Sequence, residues 1–206
     1  MTQVKVFMVA LVAMLAGVVA LGSLAVRPAL AEAAYVSGDI SLGAEDAPVT
    51  VIEYASMTCP HCATFHIKTF KAFKEKYIDT GKVRFTFREF PFDQDALRAS
   101  MLARCSGEER YFGMLDLLFR QQFKWAGKEN SVSLLAQLVR FSGMSKETVE
   151  SCLANETLMN EILQTRMIGH QKNGVDSTPT FLVNGDKFTG AIELPEWDDI
   201  LAKYLK

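Results

Sequence analysis

Two cysteines separated by two residues, Cys59-Pro60-His61-Cys62, stand between an apolar, strand-prone run, Val49-Thr50-Val51-Ile52-Glu53-Tyr54, and a helical pattern from Thr64 to Tyr77. Such a chain must feed a strand directly into a helix at a pair of sulfurs. At that junction the first-turn N–H groups of the helix have no intrahelical partner and converge on the preceding residue. The helix dipole adds positive potential there, so Cys59 should favour its thiolate, the form that does sulfur chemistry. Pro60 suits the first helical position, where a missing N–H costs nothing. His61, when protonated, adds a positive charge near the sulfur. The motif therefore reads as a dithiol/disulfide centre in which Cys59 attacks and is attacked. The other use of C-x-x-C is half of a zinc site, which needs a second ligand pair at short spacing. Neither a second C-x-x-C nor an H-x-H follows, and His66, four residues past Cys62, is the nearby candidate ligand.

Lys5 precedes an apolar run from Val6 to Val26, and Arg27-Pro28-Ala29-Leu30-Ala31 follows with an A-x-A cleavage signal in Ala29 and Ala31. Residues 1–31 are expected to be a secretory signal peptide. The run at residues 6–26 also has the length of an uncleaved anchor. Either route exports the rest of the chain. The four cysteines then meet an oxidising compartment, where three pairings are open. Cys59 with Cys62 is the local choice, and it leaves Cys105 with Cys152. A net charge of −2 without a basic block excludes a nucleic-acid surface. An apolar content of 49% with 14 Phe excludes disorder.

The remaining pattern gives an element order. Tyr35 to Leu42 offers an edge strand, and Gly43 to Pro48 a turn before the strand from Val49. In the helical pattern after the cysteines, Phe65, Phe70, Phe73 and Tyr77 mark the inner face and Lys68, Lys71, Lys74 and Lys76 the outer. Val83, Phe85 and Phe87 alternate with Arg84, Thr86 and Arg88 in a further strand. From Asp93 to about Asn173 only helical periodicity appears. Asp93 or Asp95 caps a helix through Cys105, and a second runs from Glu108 to about Phe123. A third, Val132 to Phe141, is opened by Ser131 or Ser133; Ser145 caps a fourth, and Glu156 to Asn173 forms a fifth ended by Gly174. Strands return at Thr180–Val183 and Lys187–Thr189 around an Asn184-Gly185 turn. Pro195 opens a last helix over Glu196 to Leu205. An α/β unit interrupted by a helical block is the expected architecture: residues 32–92 and 174–206 around an insertion at 93–173, lying over the sheet end that bears Cys59.

Strand-C-P-H-C-helix, an all-helical insertion and Thr178-Pro179-Thr180-Phe181 at the entry to a core strand together resemble the DsbA family of thiol oxidoreductases. The resemblance covers nearly all of the chain after the leader. It implies a thioredoxin-like fold with a central mixed sheet and an inserted all-helical domain. It further implies a periplasmic monomer that donates its Cys59-Cys62 disulfide to reduced or unfolded exported proteins. A membrane quinone-linked DsbB-like oxidase would reoxidise it. The redox disulfide would serve without cofactor or metal. By the resemblance, Pro179 is cis and lies with Thr178 against the disulfide, a bond geometry open to X-Pro. Glu53 takes the place of an acid that manages the buried cysteine's proton; a buried carboxyl with a raised pKa suits that task. Thr178 is shared with the disulfide isomerase branch, which keeps an isomerase or reductase as an alternative. A Cys/His metal carrier through Cys59, Cys62 and His66 is another. Cys105 and Cys152 depart from the basic family pattern, and a bridge between them would be structural.

Overall fold

The computed structural model describes residues 38–205 of the chain. The leader and the possible anchor at residues 6–26 lie outside the described residues, and among those described no helix is long and apolar enough to cross a membrane. Five strands form one mixed sheet: β1 (Ile40–Leu42), β2 (Val49–Ala55), β3 (Val83–Glu89), β4 (Thr180–Val183) and β5 (Asp186–Thr189). Their order is β1-β3-β2-β4-β5. β2 runs parallel to β3, and the other neighbours are antiparallel. The short segment expected at an edge is β1, beside β3.

Alternation along the strands sorts residues onto two faces, since successive side chains point to opposite sides. Val49, Val51, Glu53 and Ala55 of β2, Val83, Phe85 and Phe87 of β3 and Phe181 and Val183 of β4 share the face of the main core. Tyr54 and Leu182 join Phe90 and Val175 on the other. Glu53 pairs in register with Phe87 on one side and Phe181 on the other, so its carboxyl enters an aromatic interior. On the second face the Arg88 guanidinium, also buried, donates to Asp39 and to the Tyr54 hydroxyl.

The parallel pair β2 and β3 needs a crossover. It is made by α1 (Pro60–Lys68), α2 (Phe70–Phe73) and a π-helical turn at Lys74–Ile78. A single helix from Thr64 to Tyr77 was expected. The chain instead breaks at Thr69, whose φ is −109°. Phe65 and Phe70 are five positions apart and would sit well off a common face in one straight helix of 3.6 residues per turn. A change of axis at Thr69 lets both rings meet, with centroids 6.0 Å apart.

Between β3 and β4 come six helices: α3 (Gln94–Cys105), α4 (Glu108–Arg120), α5 (Gln122–Trp125), α6 (Ser131–Phe141), α7 (Lys146–Leu153) and α8 (Glu156–Asn173). They form the inserted all-helical block. Asp93, not Asp95, caps α3 by accepting from the Ala96 N–H. The helix expected to reach Phe123 turns at Gln121 and continues as α5. Asn130 precedes α6, with Ser131 already its first helical residue. Ser145 accepts from the Thr148 N–H to cap α7, and Gly174 ends α8 in the left-handed region at φ 61°. The last helix, α9 (Leu194–Leu201), starts earlier and stops sooner than expected. Its Trp197 packs on Phe73 and Phe181 and closes the core beneath α2.

Candidate active site

β2 ends at Ala55, a short turn follows, and α1 begins at Pro60, which makes Cys59 the residue capping α1. Cys59 is partly exposed while Cys62, one turn on, is fully buried; both are free thiols here. The neighbouring sulfurs are driven in opposite directions. Cys59 is pulled down to about 5, first by a hydrogen bond from the Cys62 thiol against the opposing cost of burial. Thr178 and then the backbone N–H groups of Cys62 and His61 add to the pull. Cys62 is pushed up by burial, and by its hydrogen bond to Cys59 and the charge of Glu53. His61 thus acts through its backbone N–H. Its ring is exposed.

As a thiol, Cys59 Sγ donates to the Thr178 carbonyl at 3.3 Å. A thiolate has no proton to donate, so ionisation surrenders that bond and leaves the sulfur accepting from Cys62 and the first-turn N–H groups. The Thr178–Pro179 peptide is cis, and the Thr178 hydroxyl is buried without a partner beside this site.

On β2, Glu53 is fully buried. One carboxyl oxygen lies 2.8 Å from His66 Nε2 and the other is buried with no partner. Burial raises the Glu53 pKa; the His66 charge and hydrogen bond oppose the rise, and Cys59 adds to it. The His66 ring stacks on Phe119 of α4, with centroids 4.3 Å apart. His66 was weighed from the sequence only as a metal ligand; its place opposite Glu53 is set by a strand thirteen residues earlier in the chain, and no local spacing announces it. Among the described residues no group of three or more His, Cys, Asp and Glu is placed to hold a metal.

Two further contacts bind the loop to the helical block. The Gln122 side-chain amide donates to the carbonyls of Met57 and Cys59 at 2.8 and 3.0 Å. Asp93, besides capping α3, accepts from the Thr58 hydroxyl at 2.6 Å. Sequence reading missed Gln122, because a polar residue at the start of a short helix has no distinguishing pattern. Thr58, Cys59 and Pro60 with Phe92 and Asp95 line an open cleft of about 780 Å³. Away from the site, Cys105 of α3 and Cys152 of α7 are joined in a disulfide.

The Bacillus subtilis protein named disulfide bond formation protein D is 28% identical over 179 residues, covering 83% of this chain and 79% of its own. A Rickettsia bellii protein named as a protein-disulfide oxidoreductase is 35% identical over 148 residues, covering 71% of this chain; the match spans 57% of that relative. Such curated relatives are longer, and the chain spans little more than half of them. The crystal structure of Wolbachia pipientis alpha-DsbA1 superposes with a TM-score of 0.78 at 32% identity, covering 83% of this chain and 92% of that one. A family model described as Thioredoxin matches residues 36–203, and with these DsbA-like neighbours it shows that the chain belongs to the thioredoxin family.

Proposed function

We propose that this protein is a dithiol:disulfide oxidoreductase that passes a Cys59–Cys62 disulfide to reduced exported proteins. The observation that carries this reading is the asymmetry of the pair: an accessible sulfur held as thiolate at a helix entrance, one turn from a buried sulfur held as thiol. The relatives named for disulfide formation support it.

In the cycle a client thiolate attacks Cys59 Sγ. The Cys59–Cys62 bond breaks, its electron pair leaves on Cys62 Sγ, and that sulfur takes up a proton. A second client thiolate then attacks the client sulfur of the mixed disulfide, Cys59 leaves as thiolate, and the client departs oxidised by two electrons. A thiol of low pKa is a good leaving group, which makes the last step fast in this direction. The cis Thr178–Pro179 backbone beside Cys59 offers the client chain a surface at the sulfur, and Pro60 starts the helix that presents it. Reoxidation falls to a DsbB-like membrane partner. The A-x-A leader would place the cycle in the periplasm. The resting redox centre is the cysteine pair itself, without a bound cofactor.

Oxidative refolding of reduced ribonuclease, run with wild type and Cys59→Ser in a defined glutathione buffer, tests the reading. Wild type should speed disulfide formation and Cys59→Ser should not. Equal rates would defeat the proposal. Thr178 before the cis proline favours one second reading, a disulfide isomerase. In the same assay that protein would rescue scrambled ribonuclease faster than it oxidises the reduced form.

A further inference from the structure

The cleft of about 780 Å³ beside the reactive sulfur is walled by Cys59 and Pro60 and by the start of α3. Asp93 and Asp95 line it, and among the described residues of the lining there is no Lys, Arg or His. Asp93 engages neutral donors, the Ala96 N–H and the Thr58 hydroxyl. Asp95 accepts from the Gly127 N–H at 3.3 Å, and Arg98, outside the lining, comes only to 3.7 Å from it. A loose, exposed pair of that kind contributes little and yields to a better-placed cation. The cleft thus keeps a negative field next to the sulfur that a client must reach. Phe92 adds an apolar wall: it is 50% exposed, and its ring meets the buried Phe90 edge-on with centroids 5.7 Å apart. Carboxylates beside an aromatic wall suit a side chain with an apolar stem and a cationic tip, which is the make-up of Lys and Arg.

We propose that this cleft selects clients: it takes the segment flanking the client's reactive cysteine and favours one that carries a Lys or Arg, the stem on Phe92 and the charge toward Asp93 and Asp95. The inference rests on the redox reading above and names the client chemistry that reading leaves open. Its occupant follows from the sulfur itself. Cys59 is part of the cleft wall, so a client bonded to it is held there by its own cysteine. An extended chain advances about 3.3 Å per residue, which puts the residues one and two places from that cysteine at the cleft. Opposite charge there speeds productive encounter, and a client carrying Glu at the same place meets like charge.

Short reduced peptides with two cysteines test this, identical except for one position that carries Lys, Gln or Glu. That position is moved from beside a cysteine, on either side, to the far end of the peptide. Oxidation by the wild-type Cys59–Cys62 disulfide is followed at low salt. Each rate is divided by that of the same peptide with hydroxyethyl disulfide, a neutral reagent, which removes the effect of the charge on the peptide thiol itself. Beside the cysteine, Lys should react about three- to tenfold faster than Glu, with Gln between them. The ratio should shrink at high salt and approach one when the charge sits at the far end. Asp95→Asn keeps an acceptor for the Gly127 N–H and should lower the ratio by about threefold. Glu196→Gln, which removes an exposed charge on α9 outside the lining, should leave the ratio in place. A ratio near one beside the cysteine, an equal ratio from the far end, an unchanged ratio in Asp95→Asn or an equal loss in both variants overturns the proposal. Should Asp95→Asn not fold, the dependence on position in wild type decides alone. Peptides oxidised at equal rates defeat the selection and leave the redox reading standing, whereas a wild type that oxidises none of them defeats both.

Discussion

At the scale of single residues, hydrogen-bond donors collected around Cys59 lower its pKa while burial raises that of Cys62. A Cys59 pKa of about 5 against 9.0 for an ordinary thiol has a signed consequence. A lowered pKa stabilises the folded reduced state fully above the unfolded value; the contribution declines as pH falls from there and is gone below the folded value. The reduction potential should therefore change slope near the folded pKa. Two protons accompany two electrons below it, at about 59 mV per pH unit, and one above it, at about 30 mV. Redox equilibration with glutathione over that range measures this, and a single slope throughout would remove the acidic thiol. Thr178→Val deletes a buried hydroxyl that has no partner until Cys59 ionises, so the variant should raise the Cys59 pKa by roughly one unit or less and leave folding stability unharmed. A thiolate absorbance titration reads the first effect and a urea melt the second. Much at this scale was legible in the sequence: the C-P-H-C motif, Pro60 at the helix start, and an acid amid apolar strand residues. His66 and Gln122 were not, because their roles depend on partners brought by distant elements.

At the scale of elements, hydrophobic alternation located β2, β3 and β4, whose buried faces leave a period of two in the sequence. Periodicity also marked the helices, and cap residues set several of their ends, as Ser145 and Gly174 show. It did not reveal the break at Thr69 or the turn at Gln121, where the core's demand on ring placement outweighs the propensity to continue. Close packing between α8 and the sheet depends on a residue with no side chain. A Cβ on Gly169 would come within 2.6 Å of the buried Tyr54 ring, whose hydroxyl accepts from Arg88 and Asn173. Gly169→Ala should accordingly destabilise by about 1–3 kcal/mol through overpacking. Urea unfolding of the oxidised protein would show this as a lowered midpoint, and an unchanged midpoint would mean that the tyrosine moves freely.

At the scale of the whole molecule, the helical block is pinned within itself and to the sheet. The Cys105–Cys152 bridge ties α3 to α7 across a separation of 47 residues, which in the chain-entropy account is worth roughly 4 kcal/mol. Replacing both with alanine should lower thermal stability by about 2–5 kcal/mol while leaving the Cys59 titration in place. Calorimetry of the double variant is the check, and a thermal midpoint equal to wild type would deny the bridge a structural part. The Gln122 amide reaches from α5 to the carbonyls of Met57 and Cys59, steadying two negative dipoles next to the reactive sulfur. The insertion thereby fixes the backbone of the loop, whereas the groups that make Cys59 acidic belong to the motif itself and to Thr178: transplanting the C-P-H-C letters without a counterpart of Gln122 would give up a brace and not the donors.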